Sequence, residues 1–194
     1  MRDSVGRVTI SKDEYVITVL DTIAEFQRQQ EEQYVDDRGR MAVYLILSVD
    51  RAKDTLAQAT EVVDIALKHR DTGIIVGIDL CGNPTKGDVS IYRDAYAKAK
   101  SHGLKVTLHF AETAFSGGLQ ELGTLLSFQP DRIGHVIHVP DTIKEEITRS
   151  NIGLELCMSC NVHAKMVHGS FEDHHFGYWW KTSCPIALCV CPAT

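Results

Sequence analysis

The segment Leu104-Lys105-Val106-Thr107-Leu108-His109-Phe110-Ala111-Glu112 runs from an apolar strand pattern into an imidazole and a carboxyl. Its aliphatic and β-branched residues suit a buried strand, with the two titratable groups at the C-terminal end. The same signature recurs on both sides. Upstream, Ile74–Leu80 carries Asp79, and the apolar run over 41–49 is followed by Asp50. Downstream, Arg132–Ile137 carries His135, the strand pattern over 153–158 precedes Asn161, and a last strand is expected over Pro185–Val190. Helical periodicity separates these runs near 54–69, 89–102, 117–127 and 141–150. A further helix over 12–30 presents Tyr15, Val16, Val19, Leu20, Ile23 and Phe26 at helical spacing, with Ser11 as its N-cap.

Apolar strands alternating with helices make a parallel sheet covered by helices. An open doubly wound sheet and a closed barrel both meet that description. An open sheet built for a dinucleotide wants G-x-G-x-x-G after a strand, and Gly82-Asn83-Pro84 lacks that spacing. Asp50, Asp79, His109, Glu112, His135 and Asn161 all fall near the C-terminal ends of successive strands. That is the face on which a β/α barrel builds its active site. The sequence therefore predicts an α/β chain, a TIM-type β/α barrel that is incomplete, with about six of its eight units. One domain over 1–194 is expected, irregular at 1–10 and 190–194.

Composition narrows the partners. A net charge of −6 argues against a nucleic-acid surface, which needs clustered Lys and Arg. The longest apolar stretch, Val43–Val49, is too short to span a bilayer, and residues 1–7 hold no apolar signal segment. A cytosolic location is the resulting expectation. The six cysteines then read as buried thiols. Cys157-Met158-Ser159-Cys160 is a C-x-x-C, but on the strand expected there its cysteines would face opposite ways, against a redox or zinc motif. His163, His168, His174 and His175 lie among Phe171, Phe176, Tyr178, Trp179 and Trp180, which reads as a polar lid anchored by aromatics; His138 reads as structural.

The strongest chemistry lies at the first segment quoted. An imidazole fixed on a strand can ligate a metal, and a carboxyl just beyond it can exchange protons with a substrate held there. His135, ending the next strand, could reach the same ligand. A lone strand-end histidine is more often structural; two on adjacent strands with a glutamate between them favour function.

These residues carry a resemblance. His109-Phe110-Ala111-Glu112 resembles the H-x-x-E segment of adenosine deaminases, Ile133-Gly134-His135 their G-H segment, and Gly77-Ile78-Asp79-Leu80-Cys81-Gly82 their G-x-D-L-x-G element. Asp131–His135, Glu155-Leu156-Cys157 and His174-His175-Phe176-Gly177-Tyr178-Trp179 are similar to the adenosine deaminase-like branch, associated with N6-methyl-AMP. The resemblance implies a zinc-dependent purine aminohydrolase. It would remove the 6-amino or N6-alkylamino group of a purine nucleoside monophosphate, giving IMP. It implies that His109 is a zinc ligand and that Glu112 is the proton donor to the purine ring, in a dry pocket that raises its pKa. It also implies that His135 orients the nucleophile, that Gly82 lets backbone approach the purine edge, and that Asp50 contacts the nucleotide. For Asp50, a cap or solvated loop carboxylate is an equal reading.

Family members also carry H-x-H on a first strand and T-D-D after the last. Here no histidine precedes residue 40, and the chain ends Val190-Cys191-Pro192-Ala193-Thr194. The resemblance thus implies a chain shortened at both ends, with His109 as one of four zinc ligands. Zinc is expected not to be retained, since a catalytic zinc needs about three protein ligands. The strands at 41–49 and 186–190 would keep unpaired edges, so poor stability alone and self-association through those edges are expected. An inactive form with at most weak purine binding is the alternative to the aminohydrolase.

Overall fold

A computed structural model describes residues 9–34 and 39–189. Six strands form one parallel sheet: β1 (Leu45–Asp50), β2 (Ile75–Cys81), β3 (Lys105–Phe110), β4 (Arg132–His135), β5 (Gly153–Leu156) and β6 (Ile186–Leu188). Among the described residues seven α-helices accompany them: α1 (Lys12–Gln33), α2 (Leu56–Lys68), α3 (Arg93–Ser101), α4 (Leu119–Leu126), α5 (Asp141–Arg149), α6 (Met158–His163) and α7 (Phe176–Trp179). The spatial order is β1-β2-β3-β4-β5-β6, each strand beside its sequence neighbours. A doubly wound sheet reverses its strand order at a switch point. Without a reversal, the sheet winds in one direction, as a barrel wall does. Of the ends expected to be irregular, 1–8 and 190–194 lie outside the described residues, and Thr9 and Ile10 belong to no helix or strand.

Strand alternation sorts the side chains into two faces. Val49, Ile78, Leu80, Val106, Leu108, Ile133 and Leu154 are all buried on the helix-covered face. The opposite parity carries Ser48, Asp79, Thr107, His109, Arg132 and Glu155, a polar face. Register aligns this face across the sheet: Ser48 pairs with Asp79, Asp79 with Thr107, and His109 with Gly134. It is internally bonded, with Ser48 Oγ 3.3 Å from Asp79 Oδ2 and Arg132 Nη1 3.1 Å from Glu155 Oε1.

Aromatic side chains close the helical layer. Tyr96 is fully buried, stacks on Phe128 at 4.9 Å, and donates its hydroxyl to the Asp79 carbonyl at 2.8 Å. A buried phenol needs such an acceptor. Tyr92 likewise donates to the Asp54 carbonyl at 2.6 Å.

Local signals hold where the chemistry is local. Ser11 caps α1 in a capping box with Glu14. Thr55 and Gln58 do the same for α2. Two expectations change. Of the six apolar positions on α1 only Val16 and Leu20 are buried, and Tyr15 is 60% exposed. The run at 41–49 becomes strand only from Leu45, where Leu45 N–H donates to the Ile74 carbonyl. Met41 and Tyr44, before it, are exposed. Among the described residues no helix is long and apolar enough to cross a membrane.

Candidate active site

His109, Glu112 and His135 meet at the C-terminal ends of β3 and β4. The rings of His109 and His135 lie 5.4 Å apart, and His135 Nε2 is 3.8 Å from Glu112 Oε1. Strict alternation would put His135 on the face of Ile133, away from His109. A left-handed φ of 64° at His135, followed by 49° at Val136, breaks that alternation. Ala111, between His109 and Glu112, is also left-handed at 50°. A β-branched residue in this region is an outlier, and such strain concentrates at functional sites. The Ala111 carbonyl accepts the N–H groups of Ile137 and His138, which ties the two strand-end loops together.

His109 is held from β2. Its Nδ1 lies 3.3 Å from Asp79 Oδ1 and 3.1 Å from the Leu80 carbonyl. Both partners are acceptors, so Nδ1 carries the proton and Nε2 keeps the lone pair. That is the tautomer in which a carboxylate-oriented histidine meets a ligand or metal. The hydrogen bond that His109 donates to Asp79 also raises the pKa of His109, against burial.

Glu112 is about four-fifths buried, with 17% of its side chain exposed. Gly82, just after β2, has a φ of +97°, and a Cβ there would stand 2.0 Å from Asp50 Oδ1. Only glycine fits. Asp50 itself is engaged by its own turn. Lys53 Nζ pairs with its carboxylate at 3.0 Å and its Oδ1 accepts the Ala52 N–H at 2.9 Å, which together lower its pKa. Thr55, not Asp50, caps α2; Asp50 is a loop carboxylate bonded within its own turn, with Oδ1 against Gly82.

The segment after β5 differs from expectation. Cys157 is not inside a strand; it is the residue before α6, and Cys160 lies within that helix. The strand ends at Leu156, so the argument from opposite strand faces does not apply. The lid reading is corrected as well. His174 is 3% exposed and lies 3.2 Å from the side chain of Asn161, which is fully buried. Asn161 in turn reaches His135 Nδ1 at 3.2 Å. His175 Nε2 donates to the His135 carbonyl at 2.6 Å. These two histidines form the floor beneath His135. Their composition resembles that of an aromatic surface loop, so only the folded path of the chain reveals their place.

Asp79, which supports His109, and Arg51, which is buried and forks onto Glu121, are not among the site residues that the sequence proposes. Asp79 had a signal, as a carboxylate at a strand end. Arg51 had none, because an arginine after a strand reads as a solvated charge.

His175 makes the fold sensitive to acid. Burial first, then neighbouring His174, lowers its pKa from the ordinary 6.5 to about 4. Above pH 6.5 the ring is neutral in both folded and unfolded chains. Between 6.5 and 4 only the unfolded chain takes the proton, so stability falls across that window as pH drops. His109 has the opposite sign: its contribution is full below 6.5 and is lost as pH rises through its raised folded value. Urea midpoints from pH 7 to 4 are expected to fall less steeply in His175→Gln than in the parent. Parallel profiles would refute the assignment.

The adenosine deaminase family model matches residues 3–189. The N6-mAMP deaminase of Arabidopsis thaliana is 34% identical over 97% of this chain and 54% of its own length. The N6-methyl-AMP deaminase of Danio rerio is 34% identical over 93% of this chain and 51% of its own. The Arabidopsis ADAL structure with GMP superposes with a TM-score of 0.81 at 32% identity, covering 98% of this chain and 53% of that one. The apo Arabidopsis N6-methyl-AMP deaminase gives 0.80 at 33% identity, covering 93% and 51%. The chain spans about half the length of the relatives it matches. From strand order, strand-end residues and these matches together, the chain belongs to the adenosine deaminase family, grouping with its N6-methyl-AMP deaminase branch.

Proposed function

We propose that this chain carries the purine-facing wall of a deaminase site for an N6-substituted purine nucleoside monophosphate, N6-methyl-AMP in particular. The observation that carries this reading is the convergence of His109, Glu112 and His135 on one strand-end surface. Replacing an amine at C6 needs a proton on the ring nitrogen beside that carbon, an oxygen nucleophile held at the carbon, and a protonated leaving amine. Glu112, mostly buried beyond β3, supplies the proton. His135 holds the oxygen by a hydrogen bond, and Gly82 admits the purine edge. The products are the amine and a 6-oxo purine nucleotide such as IMP. Support for a monophosphate comes from relatives named for N6-methyl-AMP and from ADAL structures solved with GMP and IMP.

The family depends on zinc, and His109 Nε2 is one suitable donor. Among the described residues, no group of three or more His, Cys, Asp or Glu could hold a metal ion. The described residues do not make a zinc site. This favours a second reading, purine nucleotide binding without turnover. Amine release from N6-methyl-AMP, AMP and adenosine, IMP binding by calorimetry, and zinc content by atomic emission separate the two readings. The first expects release in the order N6-methyl-AMP, AMP, adenosine. Binding of IMP without release or zinc selects the second. Neither binding nor release overturns both.

A further inference from the structure

We propose that His174 is a positioning residue which, through Asn161, fixes the tautomer of His135 so that Nε2 carries its proton toward Glu112 and the ligand. The inference rests on the deaminase reading only for its consequence in turnover. Its geometry stands alone.

One donor in this network has a fixed role. The Phe176 backbone N–H donates to His174 Nδ1 at 3.0 Å. A backbone N–H can only donate, so Nδ1 holds a lone pair, and the single proton of the neutral ring sits on Nε2. Burial favours that neutral form. The Nε2–H then needs an acceptor, but the atom placed opposite it is Asn161 Nδ2, 3.2 Å away and closed off from water, while Asn161 Oδ1 stands 3.2 Å from His135 Nδ1.

An amide nitrogen does not accept hydrogen bonds, so Asn161 must present its oxygen to His174. The amide oxygen and nitrogen are nearly isosteric, and turning the group over exchanges them at similar separations. Turned over, its NH2 takes the place of the oxygen that stands 3.2 Å from His135 Nδ1. That nitrogen must accept. The proton of neutral His135 is therefore on Nε2. The opposite amide orientation sets two donors against each other at His174.

The consequence falls on the site. His135 Nε2 lies 3.8 Å from Glu112 Oε1, too far to spend its proton there. It remains a donor directed at whatever oxygen occupies the site, so His135 steadies a nucleophilic or newly formed hydroxyl and does not abstract its proton. The same dipeptide also holds the backbone. His175 Nε2 donates to the His135 carbonyl, at the left-handed position, while its own Nδ1 is buried without a partner. One histidine orders the side chain of His135 and the next orders its main chain.

Long-range 1H–15N correlation spectra of the 194-residue chain labelled with 15N-histidine test this, with His135→Gln assigning the His135 signals. The expected result is a pyridine-type Nδ1 and a protonated Nε2 on His135, and a protonated Nε2 on His174. In Asn161→Asp a carboxylate accepts from both rings, so His135 should switch to Nδ1–H while His174 is unchanged. In His174→Phe the amide is released, and His135 should become a mixture. A parent spectrum with Nδ1–H on His135 overturns the proposal whether or not the variants fold. An unchanged tautomer in well-dispersed Asn161→Asp does the same. No turnover is read, so a chain without deaminase activity leaves the proposal standing. An active chain with Nδ1–H on His135 would sink it alone.

Discussion

Arg51→Ala is expected to lower folding stability by about 3–5 kcal/mol, the cost typical of removing one partner from a buried charge pair. Arg51 is 5% exposed and forms a fork to Glu121, with Nη1–Oε1 at 2.7 Å and Nη2–Oε2 at 2.9 Å. It also donates to the carbonyls of Lys86 at 2.8 Å and Gly87 at 3.3 Å. One guanidinium thus joins the turn after β1, the loop after β2 and the first turn of α4. Alanine leaves a half-buried carboxylate and two carbonyls without their donor. Lysine keeps the charge but cannot form the fork, so Arg51→Lys should recover only part of the loss. Denaturant midpoints measure both. A cost for alanine within about 0.5 kcal/mol, the range of an ordinary surface change, would show that the tie is not structural.

The second large effect separates two readings of the segment after β5. Trp179→Ala is expected to cost about 3–5 kcal/mol, as for other buried aromatics truncated to alanine. Trp179 is 1% exposed and meets Tyr178 edge to face at 5.0 Å. Trp180, the next residue, is 71% exposed, and its alanine variant should stay within about 0.5 kcal/mol of the parent. A movable lid would give small losses at both. Because Trp179 anchors the short helix that follows His174 and His175, its loss should also loosen the floor beneath His135. Hydrogen exchange at the Phe176 and Val136 amides reads that coupling directly, since these donate to His174 Nδ1 and to the Phe110 carbonyl.

The boundary between legible and illegible follows the range of the interactions. Capping at Ser11, the apolar runs of β2 and β3, and the strand-end positions of His109, Glu112 and His135 were readable because each depends on neighbours a few residues away. The motif spacing carried the family for the same reason. The break after Leu156 was not readable: Cys157 and Met158 are apolar enough to extend the strand. What stops it is the turn into α6, which places Asn161 under His135. Nor could periodicity reveal that α1 buries so little, since that depends on the area its neighbours offer.

The sequence by itself determined the alternation of strand and helix, the location of the chemistry at strand ends, and the residues His109, Glu112 and His135. Tertiary structure decided the rest. It set the unreversed strand order that separates a barrel wall from a doubly wound sheet. It brought Asp79 from β2 to His109 on β3. It also carried Asn161 to His135 and His174 to Asn161, across separations of 26 and 13 residues. Hydrogen bonds over such distances leave no periodic trace in the chain; they exist only once the sheet has set the register.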